Sequence, residues 1–339
     1  MEKITGRQIW KTLHADLIGK DSQRGITLTY GWFANQLGHF ALGFVPTSIA
    51  YILGVELKTA LFSVACFWLA FEIYNASSPL YKKEYKGNGT FKPQWKNLTF
   101  DTFTDLCFFW TGSLTFYFIA STDKNGLYFF LAGLLPLFFF GRYWFLTKLY
   151  QQNAFFPYAF RLSQWNGRLK TEDADFIRHY LRQRPREAHH FIVSGAKKSG
   201  KTTITVGMAN ELAIHHNKTT YTTLSKWVSV LSDSQEELSR GNKSLWTWQE
   251  SEFLLIDDIN PGTPEEANKY KATDIESFIN NSGYGDTIKQ ILGNTSVAWV
   301  VGSCSNDDGI RDWKEMLIRI GIPKNKITTI DLNSFQSGK

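Results

Sequence analysis

The chain has 339 residues, of which 43% are hydrophobic and 20% charged, with a net charge of +6 at neutral pH. Its length leads us to expect two domains. Its three cysteines, without metal-ligand spacing, exclude a disulfide framework and a Cys-based metal cluster.

The average conceals a division. Up to about residue 150 the chain is rich in Phe, Trp, Leu and Gly, with long uncharged runs; beyond it the charge density is that of a cytosolic domain. Residues 1–30 are polar and amphipathic, with no short apolar core and cleavage site of a signal peptide. Within them Ile4, Ile9, Trp10, Leu13, Leu17 and Ile18 fall near one helical face, which suits a helix on a membrane surface or on the protein's own surface.

Four apolar spans follow, at residues 31–54, 59–74, 102–120 and 126–146, with Pro46 and Pro136 inside the first and last. Each is near the length that crosses ~30 Å of hydrocarbon as a helix, so residues 31–147 are expected to form a four-helix transmembrane bundle. Lys3, Arg7, Lys11, Lys20 and Arg24 precede the first span. Lys82, Lys83, Lys86, Lys92 and Lys96 lie between the second and third. Lys148, Arg161, Arg168 and Lys170 follow the fourth, whereas the two alternate loops hold only Lys58 and Lys124. The positive-inside rule then puts both termini in the cytoplasm of a multi-pass protein of the inner (plasma) membrane. Almost nothing projects outward, which disfavours a receptor with an external domain. The same topology accounts for the basic excess, so nucleic acid is possible as a partner but not indicated.

Four ionisable residues fall within the spans: His39, Glu72, Asp105 and Arg142. An Asp105–Arg142 pair that fixes helix packing is the expected use, ahead of an ion or proton path. Residues 148–186 read as a linker with helical character at 173–182. Tyr158, Phe160 and Trp165 are expected to touch the membrane surface.

The chemistry lies in residues 187–339. Gly195-Ala-Lys-Lys-Ser-Gly-Lys-Thr202 fits the phosphate-binding P-loop, between an apolar strand at 190–194 and a helical run at 203–213. Gly195 and Gly200 let the backbone wrap a phosphate. The amides of Lys198 and Ser199 onward to Thr203, at a helix N-terminus, can face it. Lys201 is placed to reach β- and γ-phosphates and Thr202 to bind Mg²⁺. A second apolar strand, 252–259, ends in Asp257 and Asp258. Asp257 is assigned to the Mg²⁺ water shell and Asp258 to polarising the attacking water. A third strand, 297–302, leads into Ser303 and Asn306, candidates for γ-phosphate contact. A last strand, 326–331, follows a helix at 310–320.

These motifs together resemble the additional-strand P-loop ATPases, and among them the AAA+ core of replication initiators and helicase loaders. The resemblance implies a mostly parallel α/β sheet, ATP and Mg²⁺ as cofactors, and self-association in which an arginine reaches a neighbour's nucleotide. Arg319 holds that position, with Arg311 next. The chain stops soon after the last strand, so the family's C-terminal helical lid is expected to be absent. The function expected is a membrane-anchored Mg-ATPase that forms a homo-oligomer. It would couple ATP binding or hydrolysis to a protein partner complex at the bilayer, in secretion, DNA transfer or antiphage defence. A nucleotide-gated pore and a non-hydrolysing switch are the alternatives.

Overall fold

The computed structural model describes residues 4–18, 26–82, 87–122, 125–183, 187–232, 244–260, 262–263, 269–303 and 308–333. Cys304, Asn306, Lys3, Lys20, Arg24, Lys83, Lys86 and Lys124 lie outside them. The chain divides into two units, Met1–Lys86 with Pro93–Leu149, and Gly87–Lys92 with Tyr150–Lys339.

The first unit is helical: α1 (Gly6–Ile18), α2 (Leu28–Ile52), α3 (Leu57–Ala76), α4 (Ser78–Tyr81), α5 (Trp95–Ala120) and α6 (Asn125–Asn153, whose last residues belong to the second unit). In α1, Trp10, Leu17 and Ile18 are exposed while Asp16 is buried. Asp16 accepts the Thr27 hydroxyl at 2.8 Å, and the same hydroxyl oxygen caps α2 by accepting the Tyr30 amide. Of the apolar residues of this segment Ile9 and Leu13 are half-buried, and Trp10, Leu17 and Ile18 are left exposed. Pro46 and Pro136 sit inside unbroken helices.

Among the described residues two helical stretches are long and apolar enough to cross a membrane. They are Leu57–Tyr81, with mean hydropathy 1.4, and Asn125–Asn153, with 1.6. This corrects the expected four. The stretches that fall short, α2 and α5, carry Asn35, Gln36 and His39, and Lys96, Asn97, Asp101 and Asp105. Several of these polar groups are used between the two helices. Gln36 donates to Asp105 at 2.9 Å, Thr47 donates to Ser113 at 3.1 Å, and Ser113 donates to the Gly43 carbonyl at 3.0 Å. Gly43 lies against the Phe109 backbone and Gly112 against that of Phe40, so neither position has room for a Cβ. Helices that pair through small residues and hydrogen bonds need less apolar surface than helices facing lipid. By contrast, α3 exposes Phe62, Phe67 and Ile73, and α6 exposes Leu135, Phe138 and Phe139.

The second unit is α/β, with β1 (His190–Gly195), β2 (Thr219–Thr223), β3 (Phe253–Ile259), β4 (Ser296–Gly302) and β5 (Ile327–Asp331). They form one parallel sheet in the order β2-β3-β4-β1-β5. The central strands are apolar without alternation because both faces are covered, while the edge strands β2 and β5 are rich in Thr. Successive residues feed opposite cores. Ile192, Leu254, Ile256 and Trp299 join Trp227, Trp313 and Leu317 on one side. Phe191, Val193, Leu255 and Val300 join Val206 and Met208 on the other. Helices α7 (Thr171–Arg182), α8 (Lys201–Ile214), α9 (Leu224–Ser232), α10 (Ala272–Asn281), α11 (Gly285–Asn294) and α12 (Asp308–Arg319) supply those covers. In α7, Glu172 and Asp173 open the helix and Arg182 closes it, in accord with its dipole.

Leu162 and Trp165 are buried in the second core, with Phe160 packed against it. The expectation that Phe160 and Trp165 touch a membrane surface is corrected: their aromatic area is spent on the α/β core.

Candidate nucleotide-binding site

The P-loop joins β1 to α8 at the C-terminal edge of the parallel sheet, where such folds bind ligands. Two residues in it take left-handed backbone, Lys198 with φ 66° and Gly200 with φ 92°. Gly200 caps α8. A side chain there would also strike the indole of Trp165, and one at Gly195 would strike Ser199. The loop is thus a tight backbone cradle, with Gly200 required by conformation and space and Gly195 by space.

Three neighbouring segments hold the cradle. Gly262 accepts the Lys197 amide at 2.7 Å. Gly195 accepts the Ser303 amide at 3.0 Å, which sets the β4 tip beside the loop. Asn333 bridges the two, its carbonyl oxygen accepting the Ala196 amide at 2.7 Å while its amide donates to the Ser303 carbonyl at 2.9 Å. Gly262 has φ 67° and packs against Gly195 and Gly302, and a Cβ at Gly302 would strike the Asn260–Gly262 backbone, which explains glycine at 262 and 302.

Lys201 donates to the Ala196 carbonyl at 2.8 Å, folding its ammonium back over the loop. Thr202 donates to one oxygen of Asp257 at 3.1 Å, and Tyr221 of β2 donates to the other at 3.1 Å. The Asp257 carboxyl is held above its ordinary pKa range by burial, with the charge of Asp258 adding; hydrogen bonds from the Asp258 backbone, Thr202 and Tyr221 oppose that rise. Burial beside Asp257 raises the Tyr221 phenol, so it remains a protonated donor. Asp258 is exposed, with φ 56°, and the β3–β4 register shifts between Ile256 and Ile259. Such a bulge re-aims side chains, here at the two acids.

The site therefore brings together Gly195, Lys198, Ser199, Gly200, Lys201, Thr202, Thr203, Ser303 and Asp257, with Asp258 at the adjoining bulge. Asn306 lies outside the described residues. Arg319 ends α12 and pairs with Glu276 of α10 at 2.8 Å. Arg311 lies 4.0 Å from Glu315. Sequence reasoning missed Gly262 and four further contributors. Tyr158 shares a hydrogen bond with Thr203 at 3.0 Å, Trp165 backs Gly200, Tyr221 holds Asp257 and Asn333 ties the loop. Only Gly262 carried a local signal, in an Asn-Pro-Gly turn after the acidic strand.

The donors suit the expected ligands. Lys198, Ser199 and Gly200 present a loop followed by a helix N-terminus, the backbone arrangement that binds phosphate. The Ser199 hydroxyl is buried with no protein partner. A hydroxyl beside a carboxylate, Thr202 and Asp257, is the hard oxygen set that Mg²⁺ takes.

The fold and this site define a P-loop α/β domain in which a strand, β4, stands between the P-loop strand and the acidic strand. The crystal structure of DnaI is similar over 51% of this chain and 87% of that one, with 15% identity and a TM-score of 0.33. At that depth the likeness carries no weight, and the class rests on the strand order and the site. No protein-family model matches the sequence, and no curated protein does.

Proposed function

We propose that the chain is a membrane-anchored ATPase that binds Mg-ATP at the P-loop. The observation that carries this reading is the contact of Thr202 with Asp257 across the bottom of the P-loop, in a sheet of the additional-strand order. With nucleotide bound, Lys201 would leave the Ala196 carbonyl for the phosphates, and Thr202 and Asp257 would hold the metal ion, with Tyr221 keeping the carboxylate in place. The bound ion would neutralise developing charge on the phosphates. Asp258 orients water, and Ser303 lies at the γ-phosphate end.

The helical unit is the anchor. Its support is the two apolar helices and the exposed Trp10, Leu17 and Ile18 of α1. The chain self-associates, and nucleotide turnover drives a protein partner complex at the bilayer. Arg319 serves a neighbouring copy by exchanging Glu276 for the neighbour's nucleotide, and an exposed pair of this kind costs little to break.

The test is ATP binding and turnover by the full chain in detergent. Lys201→Ala is expected to abolish both, and Asp258→Asn to abolish turnover while leaving binding. Turnover that survives Lys201→Ala would refute the site assignment. Turnover per molecule should rise with protein concentration; a rate flat on dilution would remove the role of Arg319 in a second copy.

A further inference from the structure

A second group of polar residues lies in the helical unit, unconnected with nucleotide. Asp105 of α5 accepts the Gln36 amide at 2.9 Å, and the same oxygen lies 3.2 Å from His39 Nδ1, close enough for an ion pair but off the line of a hydrogen bond. This replaces the expected Asp105–Arg142 pair; Arg142 is exposed on α6. Glu72 of α3 faces the group. Its electrostatic neighbours are Asp105 and Asp101 of α5 and His39 of α2, and Asn75 of its own helix hydrogen-bonds it. Among the described residues no lysine or arginine pairs with Asp105 or Glu72 at ion-pair distance. His39 stacks on Phe109, which stacks on Trp68, so aromatic rings wall one side.

Both Gln36 and Glu72 are 2% exposed. Gln36 Oε1 and Glu72 Oε2 are buried with no hydrogen-bond partner. The Gln36 amide nitrogen is already committed to Asp105, so what these oxygens lack is a donor. Charge gives the same answer independently. A buried carboxylate, Glu72, and a half-buried one, Asp105, against one imidazole leave a net negative charge even when the imidazole is protonated, and apolar surroundings disfavour that. One additional proton on a carboxyl supplies both the missing donor and the missing charge.

We propose that Glu72, His39, Asp105 and Gln36 form a proton-binding site inside the helical unit, with the exchangeable proton carried by the Glu72 carboxyl. The His39–Asp105 pair, held by Gln36, sets how tightly that proton is bound. The site is distinct from the P-loop and does not depend on the nucleotide reading.

The test is infrared difference spectroscopy of the full chain in liposomes as pH is changed. A carboxylic-acid C=O band is expected to titrate in the wild type and to be lost in Glu72→Gln. His39→Gln should shift its midpoint by about tenfold in proton concentration, the size of removing one close charge. A wild-type difference spectrum retained in full by Glu72→Gln overturns the site, as does a midpoint indifferent to His39→Gln. A midpoint that follows sodium at constant ionic strength also overturns it, because the ligand is then a metal cation. Should Glu72→Gln fail to fold, glutamate labelled with ¹³C at the carboxyl decides on the wild-type fold. The band must move with that label, and a band that stays in place refutes Glu72 as the carrier.

Discussion

His190 is a fully buried group in the α/β unit for which a drop in pH has a calculable cost. It opens β1, 1% exposed, with Nδ1 accepting the Trp299 indole N–H at 3.1 Å and Nε2 donating to the Leu292 carbonyl at 3.0 Å. Those partners suit a neutral ring; a proton on Nδ1 would face another N–H. Burial lowers its pKa to about 4 from 6.5. His189 is lowered to about 4 as well, by burial and by Lys326. Above 6.5 the ring is neutral whether folded or unfolded, and its contribution is fully present. Below that, the unfolded chain takes up a proton that the folded chain refuses until about pH 4, so stability falls through this window. At ~1.4 kcal/mol per pH unit, a drop to ~pH 5 removes about 2 kcal/mol through His190, roughly thirtyfold in the opening equilibrium. Hydrogen exchange at β1 and β4 amides of the full chain in detergent reads that equilibrium once corrected for intrinsic rates. His190→Gln should flatten the pH slope by this amount. An identical slope in wild type and His190→Gln would refute the reasoning.

Asn333→Ala removes both side-chain bonds by which Asn333 bridges the P-loop and the β4 tip. Leaving the Ala196 amide and the Ser303 carbonyl without them is expected to cost about 1–3 kcal/mol, read as weaker ATP binding by calorimetry; unchanged affinity would contradict the bridge. Tyr221→Phe deprives Asp257 of a charge-assisted bond worth about 1.5–3 kcal/mol. The Mg²⁺ concentration for half-maximal turnover should then rise about tenfold or more, whereas a purely structural tyrosine would leave it alone. Gly43→Ala forces a Cβ against the Phe109 backbone. Thermal unfolding in detergent should report a loss of about 1–3 kcal/mol, and an unmoved midpoint would mean that α2 and α5 are not in close contact.

The P-loop was legible because its chemistry is local. Spacing, glycine placement and the flanking apolar run lie within a dozen residues, and the acidic strand announces itself by ending an apolar run in Asp257 and Asp258. The division into an apolar first part and an α/β second part was legible for a similar reason, since composition differs on the two sides. Membrane spans were read less well. An apolar stretch that faces lipid and one that faces another helix differ in only a few residues. Gln36, His39 and Asp105 mark α2 and α5 as helices that also satisfy each other.

What the sequence by itself determined is the P-loop pattern and the acidic strand that follows it: Lys201, Thr202 and Asp257 are marked by motifs whose meaning lies in neighbouring residues. Only the tertiary structure decided what surrounds them. Tyr221 reaches Asp257 because β2 runs parallel to β3 with Tyr221 opposite Leu255. Asn333 reaches Ala196 because β5 pairs with β1. Trp165 meets Gly200, some 35 residues on, because the chain before α7 folds back onto the sheet. Glu72 joins His39 and Asp105 because three helices converge. Each of these contacts is set by strand order or helix packing, which no local spacing encodes.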